Sequence, residues 1–214
     1  MISSKEMLQQ VMTEPSEALI RDVANLKGDL MILGAGGKVG PTMAIKAKRA
    51  LTAAGSDARV IAVSLFDYPD ASDAMRNAGV EVIEADISDP KQLAALPEAE
   101  NIIYMVGRKF GTTDNEYMTW HINVVLPYLA AQRFPNSRIV AFSTGNTYGV
   151  KALTSGGWVE EKKLQIRVQI IDRYFGILII NLGFKDENRC SLRMMKCAED
   201  FLSEYQGWLN AAAK

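Results

Sequence analysis

Apolar and polar positions fall along this chain in blocks of two kinds. Runs in which nearly every residue is apolar, such as "LMIL" and "VIAV", are separated by stretches with the three-to-four-residue spacing of an amphipathic helix. A continuously apolar run is the mark of a strand buried on both faces, as in a parallel sheet covered by helices. By that criterion "DLMILG", "ARVIAVSLF", "VEVIEAD", "NIIYMVG" and "SRIVAFST" are strands. Between them, "KVGPTMAIKAKRALTAAG", "DASDAMRNAG", "DPKQLAALP" and "NEYMTWHINVVLPYLAAQRF" read as helices, the first two closed by Gly55 and Gly79. This alternation predicts an α/β fold: a doubly wound parallel sheet with helices on both faces.

The flanks are read separately. Residues 1–27 form a helical lead, with a capping box from Ser3 to Glu6 and a restart at Thr13 as N-cap with Pro15 in the first turn. Residues 28–150 carry the sheet, and 151–214 form a short C-terminal α/β appendage. Within that appendage "GNTYGVKALTSGGWVEEKK" has no helical periodicity and reads as a loop. The run 164–184 is strand-like, with a turn expected between Asp172 and Gly176. The chain closes on an amphipathic helix with Met194, Ala198, Phe201, Tyr205 and Trp208 on one stripe, suited to a core or to a homodimer face.

Composition narrows the partners. The 214 residues are 48% hydrophobic, enough for a core of one domain, and 24 basic against 25 acidic residues give no case for nucleic acid. No run of about 18 apolar residues predicts a membrane span, and the N-terminus lacks the apolar stretch of a signal peptide. Cys190 and Cys197 lie seven apart in a helical pattern, about 10 Å between Cα atoms, too far for a disulfide. A reduced, cytoplasmic protein is therefore expected. No Cys/His/Asp cluster has metal-ligand spacing, and no Gly-x-Ser-x-Gly elbow points to a hydrolase.

One junction carries chemistry. Gly34, Gly37 and Gly40 stand where the first buried strand passes into its helix. There a glycine triplet permits a tight turn, close approach of a pyrophosphate, and close packing of helix on strand. Amides at the helix N-terminus would hold the phosphates. The second strand ends at Ser64-Leu65 with Asp67 beyond, where an acidic residue would grip the ribose of NAD and an arginine the 2′-phosphate of NADP. Neither stands in place, Asp67 reads as a solvated loop residue, and NAD and NADP both stay open.

Four stretches in order, "GAGGKVG", "EADISD", "NIIYMVGRKFGT" and "IVAFSTGNTYG", resemble the extended short-chain dehydrogenase/reductase superfamily, of the NAD-dependent epimerase/dehydratase type. The resemblance covers residues 28 to 150 and implies a Rossmann-like fold. It implies cofactor contacts at Gly34, Gly36, Gly37, Lys38, Val39 and Gly40, and at Ser64. It also implies Asp86 on the adenine with Ile87 packing beside it, and Met105, Val106 and Gly107 along the nicotinamide ribose. Asn123 matches an asparagine that organises a catalytic water network, and Thr144, with Ser143 beside it, falls on the catalytic Ser/Thr position.

The family's chemistry also needs a Tyr followed four residues later by Lys, one helical turn apart so that the cation lowers the phenol's pKa. Here Tyr104 is followed by Arg108, Tyr117 by His121, Tyr148 by Ala152, Tyr174 by Leu178 and Tyr205 by Leu209. Tyr68 and Tyr128 have no Lys there either. The substrate-binding part after the cofactor half is expected to be shortened. Two expectations follow: an NAD(P)-dependent oxidoreductase acting at a hydroxyl or keto carbon of a small molecule such as a sugar nucleotide, or a non-catalytic dinucleotide-binding or redox-sensing module. Arg108 and Lys109 stand at the mouth of the expected site, and His121 is the single histidine.

Overall fold

The computed structural model describes residues 2–67, 69–108 and 116–142, together with the backbone of 169–171 and 177–179. The chain divides into two compact units, Met1–Val106 with Arg133–Phe142, and Gly107–Gln132 with Ser143–Lys214.

The first unit holds a five-stranded parallel sheet. Its strands are β1 (Leu30–Leu33), β2 (Val60–Ser64), β3 (Glu81–Glu84), β4 (Asn101–Tyr104) and β5 (Arg138–Ala141), in the order β3-β2-β1-β4-β5. All five are the strands that the apolar runs predict, and the order reverses at β1, as in a Rossmann-like fold. The helices α1 (Lys5–Thr13) and α2 (Glu17–Val23) precede the sheet. Between strands run α3 (Gly40–Ala53), α4 (Pro69–Asn77) and α5 (Pro90–Ala95).

Register places Leu30 beside Val60 and Asn101, and Ile32 beside Ala62 and Ile103. Alternation then sends Ile32, Val60 and Ala62 to one face, where they pack with Ala44, Ile45 and Leu51 of α3 and Met75 of α4. Met31, Leu33, Ile61, Val63 and Ile102 are equally buried and take the opposite face. Two covered faces explain why β1 and β2 are apolar at almost every position, and each such side chain contributes about 1.5–3 kcal/mol. Gly55 and Gly79 lie at φ +70° and +82° and end α3 and α4 with left-handed turns, as the pattern expects.

The helical lead differs from its sequence reading at both caps, by one residue at the first and by three at the second. Ser4, not Ser3, is the cap of α1, accepting from the Met7 amide at 3.1 Å. Ser16, not Thr13, caps α2 by accepting from the Leu19 amide. Thr13 is instead the last residue of α1 and is buried. Its hydroxyl donates back to the Gln9 carbonyl at 2.8 Å and accepts from Arg49 Nη1 at 2.6 Å. A polar anchor onto α3 thus outweighs the local preference of threonine for a cap.

Polar side chains tie the N-terminal ends of the strands. Buried Asn101 donates to the carbonyls of Lys27 and Asp29 and accepts from Arg138. Asp29 accepts from the backbone and side chain of Arg59, which also reaches Glu81. Burial pushes the Asp29 carboxyl up, but those bonds and the Arg59 charge outweigh it and hold the group below its usual 3.8. A depressed folded-state pKa means stability that is present above 3.8 and lost as pH falls through the folded value. The stability margin of the wild type over Asp29→Asn should therefore be present near neutral pH and vanish under acid. Denaturant melts across that range measure it, and a margin that ignores pH would count against the assignment.

In the second unit a single helical stretch comprises α6 (Glu116–Trp120), a π-helical segment His121–Val125, and the start of α7 (Leu126–Arg133). The Leu126 amide donates to the His121 carbonyl, five residues back. Pro127 has no N–H for the Asn123 carbonyl, and the turn widens around it. The same unit contains β6 (Gln169–Ile171) and β7 (Ile177–Ile179), paired antiparallel with Ile170 beside Leu178.

Candidate functional site

The loop between β1 and α3 is shaped by close contacts that only glycine allows at two of its positions. Gly34 has φ +89°, and a Cβ there would stand 2.8 Å from the Val106 amide nitrogen and 2.9 Å from the Met105 carbonyl carbon. A Cβ on Gly40 would stand 2.1 Å from the Ala35 carbonyl oxygen. Backbone crowding explains both glycines without any ligand.

Gly37 is different. Its φ is not positive, and the nearest atom to an added Cβ is the Gly34 carbonyl oxygen, at an ordinary 3.6 Å. Nothing in the fold requires glycine here, so the open space above Gly37 is a property of the surface.

That surface carries backbone donors that no described residue pairs. The Gly34 and Ala35 amides both donate to the Val63 carbonyl, Gly37 to Gly34 and Gly40 to Gly37. Among the described residues none accepts from the amides of Gly36, Lys38 or Val39. The helix that begins here has no side-chain cap, whereas Ser4, Ser16 and Asp89 cap α1, α2 and α5. These amides and an uncapped 14-residue helix make a seat for an anion.

Beside this seat opens a pocket of about 650 Å³. Gly36, Gly37, Lys38 and Pro41 form one wall, and Ser64 at the end of β2 with Leu65, Phe66 and Asp67 after it form the other. Ser64 Oγ lies 2.6 Å from where a Gly36 Cβ would be, so the two walls meet. Asp67 is exposed, as read from the sequence, and it also lines this pocket with Lys38. Sequence reasoning passed over Phe66, which sits at φ +50°. Nothing in "SLFDYP" signals that conformation.

The remaining candidates fall in three places. Asp86 Oδ1 accepts from the Ser88 amide and hydroxyl at 2.9 and 2.6 Å, and the Asp86 amide donates to Gln92, which fixes the turn after β3. Ile87 beside it is buried, 6% exposed. Met105 and Val106 run past Gly34, held by the bond from the Met105 amide to the Leu33 carbonyl. In the second unit Asn123 accepts from the Arg108 amide and donates to the Arg108 carbonyl, both at 2.8 Å, with Gly107 alongside. One donor and one acceptor site of its side-chain amide are thereby engaged by backbone. The residue that matches the family's water-organising asparagine therefore holds the loop after β4. Pro127 was the signal in the sequence for the widened turn from which Asn123 reaches out.

Tyr104 is 4% exposed, and no described residue bonds its buried hydroxyl. Burial raises its pKa far above that of a free phenol, so it stays protonated. Ser143, Thr144, Lys109, Tyr148, Lys151, Cys190, Cys197 and the stripe Met194–Trp208 lie outside the described residues. Among the described residues no helix is long and apolar enough to cross a membrane, and no group of three metal-ligating side chains occurs.

No family model matches the sequence, and no curated protein does. Solved structures do match. An epimerase from the methanogen Methanothermobacter thermautotrophicus superposes with a TM-score of 0.51 at 17% identity, over 64% of this chain and 41% of that one. The ADP-L-glycero-D-manno-heptose-6-epimerase of Helicobacter pylori gives 0.49 at 17%, over 83% and 51%. A short-chain dehydrogenase/reductase superfamily protein from Agrobacterium tumefaciens, solved with bound NAD, gives 0.41 at 17%, over 83% and 44%. At such identity the likeness to the methanogen epimerase is one of fold. The chain spans about half the length of the structures that it matches.

Proposed function

We propose that this chain binds NAD or NADP across the loop Gly34–Gly40, in the manner of the epimerase/dehydratase enzymes whose motifs it resembles. The observation that carries the reading is the open face above Gly37, surrounded by the amides of Gly36, Lys38 and Val39, from which no described residue accepts. These groups bind and orient a pyrophosphate: the amides donate, the start of α3 supplies positive potential, and the missing side chain at 37 lets the phosphates approach. The pocket beyond, bounded by Ser64 and Asp67, takes the adenosine end, with Asp86 and Ile87 at the next strand end. Met105 and Val106 lie along the nicotinamide ribose, as the motif resemblance implies.

Bound NAD(P) supplies a hydride acceptor at a hydroxyl-bearing carbon. In this reading Thr144, with Ser143 beside it, hydrogen-bonds the substrate oxygen, and the substrate is a small molecule such as a sugar nucleotide. Tyr104 is not the base, because burial holds its phenol neutral. One observation favours a second reading, a dinucleotide-binding module without turnover: no Tyr in the sequence is followed four residues later by Lys.

A single assay separates the two. Reduced-cofactor absorbance is followed with NAD and with NADP over a panel of sugar nucleotides and simple hydroxy compounds. Turnover that Thr144→Ala abolishes supports the enzyme. Cofactor binding by calorimetry without turnover supports the module, and no binding of either cofactor sinks both.

A further inference from the structure

Phe66 is the one described non-glycine residue at positive φ. A bulky side chain avoids that region, and a residue kept there is held by its surroundings at a place where the geometry has a use. The geometry here is specific. Phe66 follows the end of β2, and its ring carbon Cδ1 lies 3.4 Å from the position of a Gly36 Cβ. The left-handed turn therefore brings the ring over the glycine loop, where it forms part of the pocket wall between Ser64 and Asp67. Leu65, its neighbour, is 53% exposed, whereas Phe66 is half-buried and packs against the edge of the core, which leaves the rest of the ring on the pocket wall. Asp86 and Ile87 do not line this pocket: Asp86 Oδ1 is engaged by Ser88, and Ile87 is buried.

We propose that Phe66 is the platform on which the purine of the bound nucleotide stacks, so that this pocket recognises adenosine through an aromatic face. The proposal rests on the dinucleotide reading above and adds a positioning residue to it. An aromatic ring beside an anion seat suits a base joined to phosphates, because every base offers a π-face. Lys38 and Asp67 on the same pocket leave the ribose edge polar while the ring supplies the apolar surface.

The test uses ADP and inorganic pyrophosphate as probes, with the full chain and the variants Phe66→Ala, Phe66→Gly and Phe66→Trp. Loss of stacking should weaken ADP binding about tenfold in the Ala and Gly variants, while Trp stays within about threefold of wild type. Pyrophosphate, which has no purine, should bind all four alike. Glycine adopts positive φ freely, so Phe66→Gly supplies the measurement if the alanine variant fails to fold. Wild-type ADP affinity in the Ala or Gly variant, or an equal loss for pyrophosphate, overturns the platform alone. A wild-type chain that binds neither ADP nor NAD(P) overturns the dinucleotide reading, and the platform with it.

Discussion

Gly37→Val should weaken NAD(P) binding at least tenfold, about 1.4 kcal/mol, and leave the folded protein as stable as the wild type. Both halves of the expectation come from one place. An added Cβ meets nothing nearer than the Gly34 carbonyl oxygen at 3.6 Å, and the backbone is not in the left-handed region, so nothing at the Cβ bars a side chain from the empty loop. Valine there fills the space that a pyrophosphate needs in order to reach the amides of Gly36, Lys38 and Val39. Calorimetric titration with NAD and NADP reads the affinity, and a thermal melt reads the fold. Unchanged affinity in a folded variant would make the loop a turn and nothing more, and the proposed function would fall with it.

How much of this was legible beforehand depends on the scale of the interaction. Strand existence rests on side chains that are apolar on consecutive positions, and Leu30–Leu33 and Val60–Ser64 declare themselves because both sheet faces are covered. Caps were misread by one to three residues. Ser3 and Ser4 are chemically alike in sequence, and Thr13 looks like a cap until Arg49, 36 residues away, is seen to bind it. The glycine loop was legible as a motif, whereas the separation of its roles was not. Only the distances show that Gly34 and Gly40 answer to backbone crowding while Gly37 does not. Phe66 was hidden for a related reason. A positive φ at a bulky residue comes from the surrounding fold, and local propensity predicts against it. Asn123 was found by motif and its partner was not, because Arg108 reaches it through backbone atoms that every residue carries.

Gly40→Ala should cost about 3 kcal/mol of stability, the upper end for an added methyl in a packed interior. Helix propensity alone predicts the opposite sign. Gly40 is the first residue of α3, and alanine is favoured over glycine within a helix by about 1 kcal/mol. The crowding decides the outcome. The new methyl would lie 2.1 Å from the Ala35 carbonyl oxygen and 2.6 Å from the Ala35 Cα and carbonyl carbon, all backbone atoms with no flexible end to swing away. Ala35 cannot yield easily, since it is fully buried and its amide donates to the Val63 carbonyl of β2. Relief would require α3 to lift from the sheet, which would loosen the packing of Ala44 and Ile45 on Ile32 and Ala62. For a chain of this size the melting temperature should fall by about 6–12 °C. Urea melts with an unchanged m-value and a lower midpoint would confirm that the native state carries the loss. A variant as stable as the wild type would show that helix and strand do not approach as closely as these distances require.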